Sequence, residues 1–406
     1  MALVVQKYGG TSVATPELIR RVAERVVTRH RHGDRMVVVV SAMGDTTDDL
    51  VALAHKVSRE PHEREMDMLL ACGERISMAL LAMAVRDLGV EAISLTGGQS
   101  GIITDSVHQS ARILELKPQR LLDEVEKGRI IIVAGFQGVT TDAEETTLGR
   151  GGSNLTAVAL AHALGADVCE MNTDVDGIYT ADPRLVPEAR KLDVVSPDEM
   201  LELASSGARV LQSRSVEFAK KYGVTIAVRS SFNDNPGTLI KEVEGMEKVV
   251  VRGIAHDVGD AKITVRHVMD RPGIAATLFG ALADRNINVD IIIQNTSQGG
   301  STDLSFTVKK TDLGKALEVC QHVKEQIGAG DVVADSDIAK VSLVGVGMRS
   351  HAGVAAQAFR ALADTGVNIQ MISTSEIKVT CVVAEADVQK AVQVLHRAFG
   401  LEQSGE

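Results

Sequence analysis

Tryptophan is absent from this sequence of 406 residues, which holds only three tyrosines and seven phenylalanines. Acidic residues outnumber basic ones, for a formal net charge of −11. A nucleic-acid surface wants basic patches and stacking rings, so nucleic acid is not expected as a partner and a small polar ligand is the better reading. Cysteine is scarce: Cys72, Cys169, Cys320 and Cys381 are scattered, with neither CxxC spacing nor histidine partners. That pattern favours free thiols in a reducing cytosol over disulfides or a zinc site. No apolar run approaches the roughly 20 residues that span a bilayer, so no membrane partner is expected. The opening MALVVQKYGG has no basic segment leading into an apolar stretch. It reads as a first strand rather than a secretory leader, and a cytoplasmic location is expected. Several motifs are missing too. There is no GxxxxGK[ST] P-loop, no GxGxxG after the first strand, no HRD loop and no GxSxG elbow, and VDG at 175–177 is not a kinase DFG.

What is present is ordinary globular composition, 45% hydrophobic and 24% charged, in a chain long enough for two or three domains. Up to about residue 240, apolar runs such as MVVVV (36–40), IIIVAG (130–135), ADVCEMNTD (166–174) and TIAVRSS (225–231) alternate with helical patterns. Strands apolar along their whole length are buried on both faces, which predicts a mostly parallel α/β sheet. Each run ends in a loop of Gly, Ser, Thr, Asp and Asn, where ligands of such sheets gather. KEVEGMEKV (241–249) is charged, lacks an apolar period and reads as a linker. Beyond it, GIAATLFGALADRNIN (273–288) aligns without gaps on GVAAQAFRALADTGVN (353–368), with nine identities in sixteen positions. Both copies are preceded by a strand (KITVRHV, KVSLVGV) and followed by another (VDIIIQN, IQMISTS). Duplicated modules of this kind usually pair. Either they are a structural duplication, or the Gly-led helix starts hold the carboxylate of an amino-acid effector.

Two glycine loops carry the chemistry. In QKYGGTSV (6–13), Lys7 leads into Gly9 and Gly10, whose missing side chains let backbone N–H groups approach an anion, although a tight turn uses the same residues. In LGRGGSNLT (148–156), Gly149, Gly151 and Gly152 expose backbone amides, and Ser153 and Asn154 open the helix that follows. Two such helix starts in one domain point to a polyphosphate held between them, with Lys7 neutralising a transferring phosphoryl group. Arg150, between glycines, suits a two-point grip on a carboxylate or a surface ion pair. Glu74 is a cap residue or the partner of a substrate ammonium. Ser41, Asp45, Thr46 and Thr47 serve either substrate and metal or turns and caps.

KYGGTS, VVSAMGDTTD, GERIS, AGFQGVTT, TLGRGGS, TDVDGIYTADPR and the paired modules resemble, in order and over essentially the whole chain, the aspartate kinases of the amino-acid kinase family. RSVEFA and the opening residues look most like the actinobacterial branch, and the tail is similar to two ACT domains. The resemblance implies an α/β fold: a three-layer amino-acid kinase sandwich on a mostly parallel sheet, then two βαββαβ ACT domains. Its implied boundaries are 1–240, a linker at 241–250, a first ACT domain at 251–336 and a second at 337–406. The first module is implied to be inserted in the second, so a strand near 249–255 would belong to the second.

The implied reaction is ATP plus L-aspartate giving 4-phosphoaspartate, with Mg²⁺ bridging the phosphates, as the first step towards lysine, threonine and methionine. By position, the resemblance assigns Lys7, Tyr8, Gly9, Gly10, Ser41, Ser153, Thr173, Asp174, Tyr179, Asp182, Arg184 and Arg209 to ATP. It assigns Ser41, Asp45, Thr46, Thr47, Glu74, Arg150, Gly151, Gly152 and Ser153 to aspartate, and catalysis to Lys7, Arg209 and Asn154. No metal ligand is assigned. Lysine or threonine, or both, would bind at Asp270, Gly273, Ile274, Ala275, Asn288, Val289, Asp290 and Gln294, and at Val354, Ala355, Asn368, Ile369, Ser375 and Glu376. A homo-oligomer through the ACT domains is implied, with room for a separately translated C-terminal subunit. The nucleophile, a carboxylate of pKa about 3.9, needs no general base, and no histidine sits in the glycine loops. Two departures stand out: Asn154 where the family pattern GRGGSDTT has aspartate, and Arg209 where it has lysine. They leave open an amino-acid sensor with a spent kinase site, or a paralogue acting on a related acid.

Overall fold

The computed structural model describes residues 1–208, 210–242, 250–295, 300–348 and 353–403, in two compact units. Arg209 and most of the expected linker lie outside the described residues, and Val250 already belongs to a strand.

The N-terminal unit is built on an eight-stranded sheet. Its order is Val194–Val195, Thr238–Ile240, Ile226–Ser230, Val168–Thr173, Leu3–Tyr8, Arg35–Val40, Ile130–Ala134 and Ala92–Leu95. Every pair is parallel except Ile226–Ser230 with Thr238–Ile240. The central strands are buried along their length, as expected for a sheet covered on both faces. Helices Pro16–Arg31 and Glu63–Asp87 bury Ile19, Val22, Leu81 and Val85 against Val4, Val38 and Ile132 on one face. Helix Gly152–Leu164 packs on the same central strands and is buried nearly all round. A four-stranded sheet, Ile113–Leu116, Ile102–Thr104, Gln137–Val139 and Glu145–Thr147, completes the unit.

Glu63–Asp87 is the long apolar helix of the described residues. At 25 residues it is long and apolar enough to cross a membrane by length and composition. The charges of Asp67, Glu74 and Arg75 interrupt its apolar runs. Its Met66, Leu70, Leu81 and Val85 are buried within the unit, as in a core helix.

The C-terminal unit holds two four-stranded sheets. One contains Val289–Gln294, Ser301–Lys309, Asp260–Met269 and Val332–Asp335; the other contains Val250–Asp257, Ile338–Val346, Lys378–Ala384 and Met371–Thr374. Val250–Asp257 pairs antiparallel with Ile338–Val346, so the first module lies between two neighbouring strands of the second. Separate cores form around Phe306, Leu278 and Cys320, and around Leu343, Leu362 and Leu395. Thr180–Arg190 and Ser206–Ala208 also belong to this unit, and Ala181 and Val186 are buried in the second core. The four cysteines are free thiols, three of them buried.

Candidate active site

In the parallel sheet the loops following Tyr8, Val40, Ala134, Thr173 and Ser230 leave from one edge, and backbone hydrogen bonds tie them together. Ser41 N–H donates to the Tyr8 carbonyl (3.1 Å), Gly135 N–H to Val40 (3.0 Å), and Ser231 N–H to Thr173 (2.7 Å). Gly44 N–H donates to the Gly10 carbonyl (3.1 Å), and a Cβ on Gly10 would lie 3.0 Å from the Ala42 carbonyl oxygen. A side chain there would press on backbone carbonyl oxygens of the neighbouring loop. Ser12 and Ser231 hydroxyls meet at 2.6 Å. This convergence brings together Lys7, Gly9, Gly10, Ser41 and Thr173.

Lys7 is half-buried, and burial pushes its pKa down to about 8 against the pull of nearby Asp174. A Cβ on Gly9 would sit 3.3 Å from Lys7 Nζ, so the glycine leaves the ammonium room. Asp174 is exposed and accepts from the Thr173 hydroxyl (3.1 Å). Tyr8 corrects the sequence reading. Successive strand residues face opposite sides, and the Tyr8 ring is wholly buried among Val4, Ile19 and Val38, its hydroxyl donating to Gln6 Oε1 (3.3 Å). Only its backbone reaches the loops.

Glu74 is the second centre. Helix Glu63–Asp87 passes so close to the loop after Val40 that a Cβ on Gly73 would lie 2.8 Å from the Ala42 Cβ. The Glu74 carboxylate is 3% exposed; Oε1 accepts from Ala42 N–H (3.2 Å), and Oε2 is buried without a partner. Burial raises its pKa to about 7, against the opposing pull of the backbone N–H groups. Asp45 caps the next helix without a side-chain bond and is exposed, Thr46 Oγ1 donates to the Met43 carbonyl, and Thr47 is half-buried.

The loop 148–152 supplies the third group. Gly149 and Gly151 adopt left-handed backbone (φ 76° and 74°), and Arg150 between them is exposed, its side chain free of hydrogen bonds and ion pairs among the described residues. The helix starts one residue before the expected point. Gly151 is the cap, Gly152 and Ser153 are buried, and Asn154 is the third helical residue with its N–H donating to the Gly151 carbonyl (3.0 Å). Asn154 is therefore no N-cap. Phe136, also left-handed (φ 70°), is held by its N–H on Thr156 Oγ1 (3.1 Å) and its carbonyl on Leu148 N–H (2.8 Å). Those two hydrogen bonds hold the residue in this sparsely populated conformation.

The remaining assigned residues lie on other elements. Tyr179 is half-buried on a short hairpin, Ile178–Tyr179 with Lys191–Leu192. Asp182 and Arg184 belong to the C-terminal unit and pair with each other (Nη2–Oδ2 2.7 Å). Among the effector positions, Asp270, Gly273, Ala275, Asn288, Gln294, Asn368 and Glu376 are exposed. Ile274 is buried, and Val289, Val354, Ala355, Ile369 and Ser375 are half-buried. Gly273 caps its helix with left-handed backbone (φ 97°). Asp290 is not free: its carboxylate is 2.5 Å from the buried Lys340 ammonium. Sequence reasoning missed Asp67, Phe136 and Arg214. A lone acid seven residues before Glu74 in an apolar helix was the available signal for Asp67.

A family model described as the amino acid kinase family matches residues 2–230, and one described as an ACT domain matches 263–323 and 341–399. An aspartokinase of Mycolicibacterium smegmatis is 54% identical over 407 residues, covering 99% of this chain and 97% of that protein. The crystal structure of E. coli aspartokinase III in complex with aspartate and ADP (R-state) superposes with a TM-score of 0.82 at 27% identity, covering 98% and 99% of the two chains. The same enzyme in complex with lysine and aspartate (T-state) gives 0.77, at the same identity and coverage. The chain belongs to the aspartokinase family, an amino acid kinase part followed by ACT domains.

Glu74 makes a testable demand. Its folded pKa lies above the ordinary 4.5, so the native state holds a proton that the unfolded chain has released. Stability is then fullest below about pH 4.5 and declines as pH rises through about 7, by up to about 3 kcal/mol. Urea titrations of the ligand-free protein at pH 5 and pH 8 should show this loss in wild type and its absence in Glu74→Gln. Equal losses in both would mean that Glu74 is ionised throughout.

Proposed function

We propose that this chain transfers the γ-phosphoryl group of ATP to the side-chain carboxylate of L-aspartate, giving 4-phospho-L-aspartate and ADP at the head of lysine, threonine and methionine synthesis. The observation that carries the reading is the buried Glu74 carboxylate, one oxygen tied to Ala42 and the other open. A substrate ammonium supplies the missing donor and cancels the buried charge. Arg150, unengaged on its glycine hinge, would take the α-carboxylate by a two-point grip. With both ends of aspartate held, its β-carboxylate is directed at the γ-phosphate. One carboxylate oxygen attacks phosphorus as the bond to the bridging oxygen of ADP breaks.

Lys7 and the amides of Gly9, Gly10 and Ser153 would hold the phosphates. A polyphosphate beside the Lys7 ammonium favours its charged form, reversing the depression caused by burial. Thr173, Asp174 and Tyr179 would border the nucleotide, with Asp182 and Arg184, which pair with each other, following on the same segment. Mg²⁺ would ride on the ATP phosphates and neutralise charge there. Lacking a general base, the site works by positioning and charge neutralisation. A cytoplasmic homo-oligomer assembled through the ACT domains accompanies this reading.

ATP-dependent acyl-hydroxamate formation with aspartate, glutamate and aspartate analogues tests the reaction itself. Arg150→Ala should raise the KM for aspartate roughly 30- to 1000-fold, from about 2–4 kcal/mol of lost charge-assisted pairing, and leave that for ATP nearly unchanged. Equal effects on both substrates would remove Arg150 from the carboxylate-binding role.

Lysine or threonine, or both, would inhibit by favouring a less active arrangement. Calorimetry on the full chain should detect binding of at least one. Gln294→Ala should relieve inhibition with uninhibited kcat kept within about twofold; no heat from either amino acid removes the sensing role.

Asn154 occupies the third helical position beside the phosphate-ready glycines and presents donors where the family pattern has a carboxylate. Restoring the charge by Asn154→Asp would give Lys7 a charge-assisted partner of about 1.5–3 kcal/mol, roughly 10- to 150-fold in rate. We expect kcat to rise at least about tenfold with little change in Tm. A flat or lower kcat would mean that the site has adapted around the amide.

A further inference from the structure

We propose that Asp67 is a positioning residue that sets the affinity for aspartate by holding the Arg150 loop from beneath; this rests on the reading of Arg150 as the α-carboxylate clamp. Asp67 is completely buried, on a helix whose inward face is otherwise apolar apart from Glu74 and Ser77. A carboxylate is retained in such a place only when its oxygens are hydrogen-bonded, and the partners of this one belong to the two segments that flank the loop. Oδ1 accepts from the Thr147 hydroxyl (2.5 Å) and from Gln109 N–H (3.1 Å), and Oδ2 lies 2.7 Å from the His108 ring Nδ1.

Thr147 stands three residues before Arg150, and its carbonyl accepts from Ala111 N–H (2.9 Å). Gln109 is held in left-handed backbone (φ 62°), and its carbonyl oxygen is 2.9 Å from where a Gly149 Cβ would lie. Arg214 closes the frame, donating to the Leu148 carbonyl (2.9 Å) and the Ala111 carbonyl (2.8 Å). On the far side, a Cβ on Gly151 would lie 2.2 Å from Gln212 Oε1. The backbone on both sides of Arg150 is therefore fixed, while its own side chain is left open to solvent.

Asp67 and Glu74 are seven residues apart, two helical turns, so they share one face with a separation along the axis of about 10 Å. One rigid helix thus sets the spacing between the group that meets the substrate ammonium and the support of the group that meets its α-carboxylate. None of these contacts involves Lys7, Gly9, Gly10 or Ser153, so their loss should fall on aspartate far more than on ATP.

Asp67→Asn turns an amide donor towards groups that themselves donate. We expect the KM for aspartate to rise about tenfold or more while the KM for ATP stays unchanged. In an Arg150→Ala background the same substitution should add nothing, because both act through one contact. Thr147→Val removes one donor while keeping the branched shape, and should raise the aspartate KM alone by about threefold or more even if Asp67→Asn fails to fold. Variants that fold with an unchanged aspartate KM, that raise both KM values together, or that add fully to Arg150→Ala would overturn the proposal. If Arg150→Ala itself leaves the aspartate KM unmoved, the clamp reading falls and this inference with it. A shift in Arg150→Ala with none in Asp67→Asn or Thr147→Val sinks this inference alone.

Discussion

The parallel pairing of Leu3–Tyr8 between Arg35–Val40 and Val168–Thr173 fixes the glycine-loop end of the site, on which its other groups converge. Because the three strands run the same way, their carboxyl ends arrive at one edge, and the residues after Tyr8, Val40 and Thr173 become neighbours although Thr173 lies more than a hundred positions beyond the other two. A slip of one residue in this register would turn Lys7 towards the core and Tyr8 towards the loops. The buried Gln6–Glu170 hydrogen bond (2.7 Å), on a carboxylate that also takes Arg29 (2.9 Å), opposes that slip, since a displaced strand would part Gln6 from its buried partner.

Charge in this catalytic unit is placed against the grain of its surroundings. Lys7 and Glu74 are both disfavoured by burial, one pushed down to about 8 and the other up to about 7. Each is discharged more readily in the empty site than it would be in water. A polyanion bound beside one and an ammonium beside the other, as proposed above, would restore both charges. Part of the binding energy is therefore spent on reversing desolvation, which discriminates against ligands that lack the matching charge.

Much of this was legible in the linear sequence because it rests on local pattern. Runs such as MVVVV and IIIVA can only be strands covered on both faces, and the glycines after them mark where backbone must come close. The duplication at 273–288 and 353–368 announced two like modules. What stayed hidden depends on direction or distance. Tyr8 adjoins the glycine loop in sequence but alternation turns its ring into the core. Asp67 looks like a stray acid in an amphipathic helix until Thr147, His108 and Gln109, 41 to 80 positions away, are brought to it. The helix start moved back to Gly152 because a left-handed Gly151 ends the loop earlier than the side chains suggest.

The strand Val250–Asp257 finds its partner, Ile338–Val346, only after the whole of Asp260–Asp335 has intervened. During synthesis the second module's opening strand must therefore wait, unpaired, while the first module is made. If the first collapses on its own core around Phe306 and Leu278, its ends come together and shorten the effective loop that the later pairing has to close. The inserted module would then act as a clasp for the outer one, imposing an order of assembly, inner before outer, on two copies of nearly the same pattern. That order also limits the chance that the outer strand joins the wrong sheet, a hazard built into any tandem duplication.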